Sequence, residues 1–493
     1  MRLPLYILLY LLVTSVTYSV TKRLELTLVD LKKINDESLV KKMMYMVHSL
    51  DNPKVDIRRS KRTHSLIIET EDPRLLSLII HRFKTELNIP PGALTTRQLP
   101  EVKVKNTYRL HKRSLGEFDI TAYNSHESVN DYLDELSISY PDLVTTKIIG
   151  YTHQNRSIKI LINTHIDSAM YVNSLLLAQI NNQKSGAKPK VFIDGGQHAR
   201  EWISPAVVTH MIHQLISGYY KGDDRLRSLV TKYEFHMLPI LNPDGYVYSY
   251  SDHGIRLWRK NMNNVTTTNC TGVDLNRNWD FHWAGRGGSR DECSIVYQGQ
   301  SAFSEKETKA TSDYILSYQG QWHSYFSFHS FGQLILFPYS HTAAPNPDYE
   351  KHRSAAKSLA AGIKSVNNRR YTVGAVGMIL YEASGSSESW AYSIGVPYSY
   401  TLELPDLFTF VVPTDVIEPT ANELLQGLVE YFQLIEEEDP KVYKQLVANV
   451  TESLPTREDN YQTSDSLYSS ERRNSQNIFL LLCLTMMWGI IYY

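Results

Sequence analysis

The stretch GGQHAREW, residues 195–202, sets His198 three positions before Glu201, directly after the apolar run VFID and shortly before Pro205. With 17 histidines in the chain, such a pair also arises by chance, so the spacing alone does not define a site. The chemistry it could do is metal binding. A catalytic zinc takes three nitrogen or oxygen ligands from the protein and keeps a fourth position open for water. A third ligand is on offer at His329, which closes the apolar run YFSF at 325–328. A buried histidine satisfied by ordinary hydrogen bonds is the other reading of His329, and these residues alone leave both open.

Such ligands need rigid elements to converge. From about residue 117 to 438, short apolar runs alternate with longer amphipathic ones. Expected strands are IKILIN, KVFID, EFHMLPIL, YFSFH, QLILFP and SYTLEL, and expected helices span 126–139, 205–221, 305–318, 349–366 and 416–437. Several strands are continuously apolar, as in sheets covered on both faces. The pattern predicts an α/β fold: a mixed, mostly parallel twisted sheet flanked by helices on both faces. Ligands of such sheets bind beyond the carboxyl ends of strands, where His198 and Glu201 stand. Residues 20–113 read differently, as strands interleaved with two helices, and predict a small α/β sandwich. That segment ends near the dibasic Lys112-Arg113, which is either a plain linker or a processing site.

Seven segments occur in one order over roughly 194–406: DGGQHAREWISP, NPDGYVYSY, RLWRKN, GVDLNRNWD, FHSFGQLILFPYS, YEASGSSESW and YTLELPD. Together they resemble the zinc metallocarboxypeptidases of the pancreatic A/B subfamily, over about 115–435, and the preceding segment is similar to that subfamily's inhibitory pro-domain. The resemblance implies one Zn2+ held by His198, Glu201 and His329, with Asp274 orienting a ligand histidine. It implies Glu403 as the catalytic acid–base and Arg259 as the group that stabilises the oxyanion. It implies that Asn276, Arg277 and Tyr381 grip the terminal carboxylate of a peptide, with Arg200 contacting the chain further upstream. A planar guanidinium suits that grip, because it can donate two parallel hydrogen bonds to a carboxylate. Cys270 and Cys293 match the subfamily's disulfide.

The position matching the floor of the specificity pocket is Glu388, which implies a preference for C-terminal Lys or Arg. Ser340 agrees with that B-like pattern. Three residues depart from the subfamily. Glu388 is one methylene longer than the usual aspartate, Val376 stands where a glycine is usual, and Phe331 stands where a tyrosine is usual. A same-reaction enzyme with apolar preference, or a silent binding homologue, are the alternatives.

The remaining features concern export. A net charge of −1 gives no electrostatic case for a nucleic-acid partner, and the dense basic cluster RRSKR at 58–62 is explained by a solvated loop. Residues 1–19 have one early positive charge, an apolar core and small residues after it, which predicts a signal peptide. A polar linker at 439–476 precedes an apolar tail at 477–493, the pattern of a glycolipid-anchor signal rather than of a full-length span. Sequons at Asn155, Asn264, Asn269 and Asn449 agree with passage through the secretory pathway. The expected organisation is therefore signal peptide, pro-domain at 20–113, catalytic domain at 114–438, linker and anchor. Expected partners are peptide C-termini, a protease cutting near Arg113 and a membrane at the extracellular face.

Overall fold

The computed structural model describes residues 118–163, 188–251, 254–264, 269–405 and 409–440. Of the first 117 residues it describes 25–30, 43, 55–60, 65–70, 73–87, 94–98 and 104–105. The expected signal peptide, Lys112-Arg113, Asn449, the linker beyond residue 440 and the tail lie outside the described residues. Among the described residues no helix is long and apolar enough to cross a membrane.

The N-terminal segment carries β1 (Glu25–Asp30), β2 (Val55–Ser60), β3 (Ser65–Thr70), α1 (Pro73–Glu86) and β4 (Leu94–Gln98). The four strands form an antiparallel sheet in the order β2-β3-β1-β4. Leu76, Ile79 and Phe83 recur at helical spacing along α1 and are all buried, which is why that run folds as an amphipathic helix. β4, rich in threonine and polar residues, was not among the expected elements. A two-residue strand β5 (Val104–Lys105) then pairs in parallel with β6 (Tyr123–Asn124).

The main unit follows with α2 (His126–Ser139), β7 (Val144–Tyr151), β8 (Ser157–Asn163), β9 (Lys190–Gly195), α3 (Ile203–Lys221), α4 (Asp224–Lys232) and β10 (Glu234–Leu238). After these come α5 (Pro243–Tyr250), α6 (Lys306–Leu316), β11 (Trp322–Ser330), β12 (Leu334–Phe337), α7 (Tyr349–Asn367) and β13 (Thr372–Ala375). The chain closes with α8 (Val376–Ile379), α9 (Ser387–Ser393), β14 (Tyr398–Leu404) and α10 (Ile417–Glu438). Eight strands make one sheet in the order β13-β12-β14-β11-β9-β10-β8-β7. The centre, β14-β11-β9-β10, is parallel, while β12 with β14, β10 with β8 and β8 with β7 pair antiparallel.

Two apolar cores cover the two faces of the sheet. On one, α3, α7 and α10 pack Val208, Met211, Leu359, Leu424 and Phe432 over Ile193, Phe326 and Tyr400. On the other, Tyr314 and Ile315 of α6 and Trp390 of α9 pack with Trp279 over Phe192 and Tyr325. All nine residues of β11 are buried, so the strand that delivers His329 is held from both sides.

Candidate active site

Local geometry brings the first pair together. β9 ends at Gly195, and Gly196 turns the chain at φ 65°, where a Cβ would stand 3.3 Å from the Pro239 carbonyl oxygen. Only a glycine takes that turn without strain. Two residues later His198 and Glu201 sit in one tight turn before α3, closed by the Glu201 N–H donating to the His198 carbonyl. His329 arrives next to last on the parallel strand β11, beside Glu403, its register partner on β14.

The three side chains face one point. His198 Nδ1 is 2.9 Å from Glu201 Oε1, His329 Nδ1 is 3.0 Å from Glu201 Oε2, and the two Nδ1 atoms are 3.1 Å apart. One ligand atom from each lies within 4.8 Å of the others. The outward nitrogens are occupied elsewhere: His198 Nε2 meets Asp274 Oδ1 at 3.1 Å, and His329 Nε2 meets Ser327 Oγ and Gln197 Oε1 at 3.1 and 3.2 Å. This arrangement fits zinc. Two imidazoles present their Nδ1 atoms and a carboxylate its oxygens, while hydrogen bonds behind them set ring orientation. Two buried ring nitrogens facing each other at 3.1 Å can share at most one proton without repulsion, and a cation between the three groups relieves that crowding.

Electrostatics around the centre are strongly organised. Burial and the Arg259 cation hold His198 below its ordinary pKa, which favours the neutral, ligating form. Asp274 is fully buried, yet Arg259 and Arg277 hold it well below the usual carboxylate range. Arg259 donates to Asp274 Oδ2 at 2.9 Å. Asp194 stands one step further back, accepting from Tyr325 and Ser327 hydroxyls at 2.7 Å each. Burial pushes Asp194 up to about 6.

A second group of residues lies beyond Asp274. Asp274 caps the short turn Leu275–Arg277 by accepting the Asn276 N–H. Arg277 is buried and donates Nε to the Gly287 carbonyl and an NH1 proton to the Asn276 carbonyl. Asn276 Oδ1 accepts the Ser387 N–H, which ties this turn to the start of α9. Gly385, at φ 73°, lies against Arg277, where a Cβ would meet its carbonyl oxygen at 2.4 Å. Tyr381 is 57% exposed, with its phenol near enough to the buried Arg259 to interact with it electrostatically. Arg200 is buried, its guanidinium 4.1 Å from the Phe410 ring, and Phe331 packs on the same ring at 5.1 Å.

The third group surrounds Glu388, which is buried at 1% exposure in the first turn of α9. Oε1 accepts from Ser386 and Ser389 at 2.7 and 2.9 Å, and Oε2 from Thr401 at 3.3 Å. Ser340 joins the same cluster through Ser389 at 2.9 Å. Among the described residues no lysine or arginine forms an ion pair with Glu388. Val376, also buried, opens α8 and is followed by Gly377, whose N–H reaches the Tyr339 carbonyl. Cys270 and Cys293 are disulfide-bonded with their Cα atoms 5.1 Å apart. Asn155, Asn264 and Asn269 are exposed.

Sequence reasoning missed several supporting residues. Gln197, Ser327 and Asp194 behind His329, and Ser386, Ser389 and Thr401 around Glu388, were not expected there. Ser327 had a usable signal, since residues two apart on a strand share a face. The hydroxyls around Glu388 come from three elements and leave no pattern.

A buried centre of two histidines and one carboxylate at the strand ends of an α/β sheet has the ligand set of a mononuclear metallohydrolase. Comparison with known proteins specifies it. The zinc carboxypeptidase profile, Peptidase M14, matches residues 129–427, and the chain belongs to that family. It is a zinc metallocarboxypeptidase acting on peptide C-termini. It is similar to zinc carboxypeptidase A 1 of Anopheles gambiae, 36% identical over 70% of this chain and 74% of the relative. It is also similar to carboxypeptidase B of Astacus astacus, 35% identical over 63% of this chain and 96% of the relative. The crystal structure of a Helicoverpa armigera carboxypeptidase A shares the fold, with a TM-score of 0.67 at 24% identity over 86% of this chain and all of that one.

Proposed function

We propose that the enzyme removes C-terminal lysine or arginine from peptides, and that it is made as an exported zymogen. The observation that carries the specificity is Glu388, a buried carboxylate hydrogen-bonded by hydroxyls alone. Hydroxyls replace part of its hydration but not a counter-charge, and a substrate ammonium or guanidinium supplies one. Ser340 supports the same reading. Val376 narrows the pocket but does not change its charge. Relatives named carboxypeptidase A and carboxypeptidase B match at similar identity, so specificity is argued from the pocket itself.

His198, Glu201 and His329 would hold the zinc, which would supply the Lewis acidity that brings a water's pKa toward neutral. Glu403, beside His329 on β14, takes the proton from that attacking water and delivers it to the leaving amine. The Arg259 guanidinium, anchored by Asp274, donates to the oxygen that gains charge on the scissile carbonyl. Asp274 also keeps His198 in orientation. Asn276 and Arg277 bind the terminal carboxylate, joined by the exposed Tyr381. Holding that carboxylate at a fixed reach makes the last peptide bond the one cleaved. Arg200, with Phe331 and Phe410, receives residues upstream.

Residues 1–19 act as the signal peptide, 20–113 as the pro-domain and 477–493 as a glycolipid-anchor signal after the linker 439–476. The enzyme then acts at the extracellular face. Release from intact cells by a phosphatidylinositol-specific phospholipase tests the anchor, and retention after that treatment overturns it. The experiment for specificity is a panel of peptides differing only at the last residue, incubated with the trypsin-treated chain. Chelator-sensitive release of Lys and Arg ahead of Phe and Leu is expected. Faster release of Phe or Leu overturns the basic preference while leaving the family assignment intact.

A further inference from the structure

Among the described residues, two clusters of metal-ligating side chains draw three ligand atoms within 4.8 Å of one another. One is the centre already described. The other joins His153, in the β7–β8 turn, to Glu305 and Glu307, at the start of α6.

Each of the three is held in place. The turn carrying His153 is clamped by Asp244, which accepts from the Thr152 hydroxyl, the Gln154 N–H and Arg156 at 2.7, 2.9 and 2.7 Å. Glu305 is buried and accepts from Asn261 Nδ2 at 2.7 Å, Ser304 at 2.8 Å and Asn263 at 3.3 Å. Glu307 is fully buried, and its Oε2 accepts from the same Asn261 Nδ2 at 3.1 Å. Its other oxygen, Oε1, is buried with no hydrogen-bond partner. His153 Nε2 is also buried and makes no aligned hydrogen bond, although it stands 3.4 Å from Glu305 Oε2.

An orphaned carboxylate oxygen inside a folded protein is costly. Two buried carboxylates sharing one amide donor carry up to two negative charges, against one neutral or singly charged imidazole. A divalent cation balances them in one step and takes the unpartnered atoms as ligands. We propose that His153, Glu305 and Glu307 form a second, structural metal site, separate from the catalytic centre. The donor set of one imidazole and two carboxylates suits a first-row divalent ion such as Zn2+ or Mn2+. Calcium and magnesium favour all-oxygen shells.

The position suggests what the ion does. Asn261 Oδ1 accepts the Val273 N–H, and the Asn261 N–H donates to the Val273 carbonyl. Arg259 and Asp274 lie on these same two segments. The ion ties the β7–β8 turn and the start of α6 to the backbone that carries them.

The test uses the full chain, stripped with a chelator and dialysed against buffered Zn2+, with bound metal counted by mass spectrometry. Two equivalents are expected for the unmodified chain. One is expected for His153→Phe, one for Glu307→Gln, and one for the double variant His198→Ala/His329→Ala. In that double variant, where only the second site remains, Zn2+ should raise the melting temperature. Adding His153→Phe should abolish both the metal and the rise. The proposal is overturned if the unmodified chain binds one equivalent and the double variant none. Failure of the catalytic zinc site gives a different result: one equivalent in the unmodified chain, kept by His198→Ala/His329→Ala and lost with His153→Phe. Should Glu307→Gln not fold, His153→Phe, at a partly exposed position, still decides.

Discussion

Taking a carboxylate out of water costs several kcal/mol unless its surroundings replace the lost hydration. At Glu388 three hydroxyls do so in part, and the pocket floor still lacks a positive charge. A substrate cation completes the pair, so removing the charge should hurt basic substrates and leave apolar ones alone. Glu388→Gln keeps an acceptor for the serines and should lower kcat/KM for C-terminal Lys on the order of 100-fold relative to Phe. Glu388→Ile should push the ratio further toward Phe. Both are read from the same peptide pair, and an unchanged Lys-to-Phe ratio in the two variants would refute the pocket assignment. At this scale the metal ligands were legible in the sequence, because they lie in long, ordered motifs. His153, Glu305 and Glu307 were not legible, since they stand on elements distant in the chain and form no motif. Their meeting depends on how the β7–β8 turn is folded against α6.

Strand β10 shows how an element far from the reaction keeps the sheet in register. Glu234 opposes Lys190 across the parallel pair β10 and β9, and the Lys190 ammonium donates to it at 2.6 Å. Two residues on, His236 meets the same carboxylate at 2.7 Å and the Tyr314 hydroxyl of α6 at 2.6 Å. Burial opposes ionisation of Glu234, but His236 and Lys190 outweigh it and hold its pKa down to about 2. A carboxylate depressed in the folded state adds stability that is complete above its unfolded pKa, near 4.5. That stability is lost as pH falls toward the folded value. Glu234→Gln should therefore cost on the order of 2–3 kcal/mol at pH 6–7. The deficit should shrink as pH drops from about 4.5 toward 2. Paired thermal melts of variant and unmodified chain check this, and a pH-independent difference would refute it. The central elements were readable: α2 was expected at 126–139 and spans His126–Ser139, with the Ser125 side chain accepting the Ser128 N–H at its start. The edges were not. β7 buries only Val144 fully and exposes Ile148 and Tyr151, so its apolar residues do not follow the alternation of a half-buried strand. The antiparallel pairing of β7, β8 and β10 supplies part of the mixed character expected of the sheet.

For the molecule as a whole, the N-terminal unit meets the catalytic one at a short parallel strand pair. Its four-stranded sheet and α1 form a small α/β unit of their own. The chain then runs through β5, which pairs with β6 at Val104↔Tyr123 and Lys105↔Asn124. Tyr123 in turn donates to the Val412 carbonyl, and the Asn124 carbonyl accepts from Tyr246, so β6 is fastened to the catalytic unit. A ladder of two residue pairs contributes little by itself, since short two-stranded pairings are marginal in water. Covalent continuity through 106–117 is what keeps the unit at high local concentration, and one cut removes that advantage. In the proposed zymogen, cleavage at the dibasic Lys112-Arg113 should therefore be enough to switch the enzyme on. Limited trypsin treatment of the full chain should raise release of C-terminal Lys at least tenfold, with a new N-terminus at Ser114. Lys112→Ala/Arg113→Ala should delay both the new terminus and the gain in activity under the same treatment. Full activity in the uncut chain, or a gain that tracks cleavage at 58–62 instead, would show that residues 20–113 do not restrain the site through this junction.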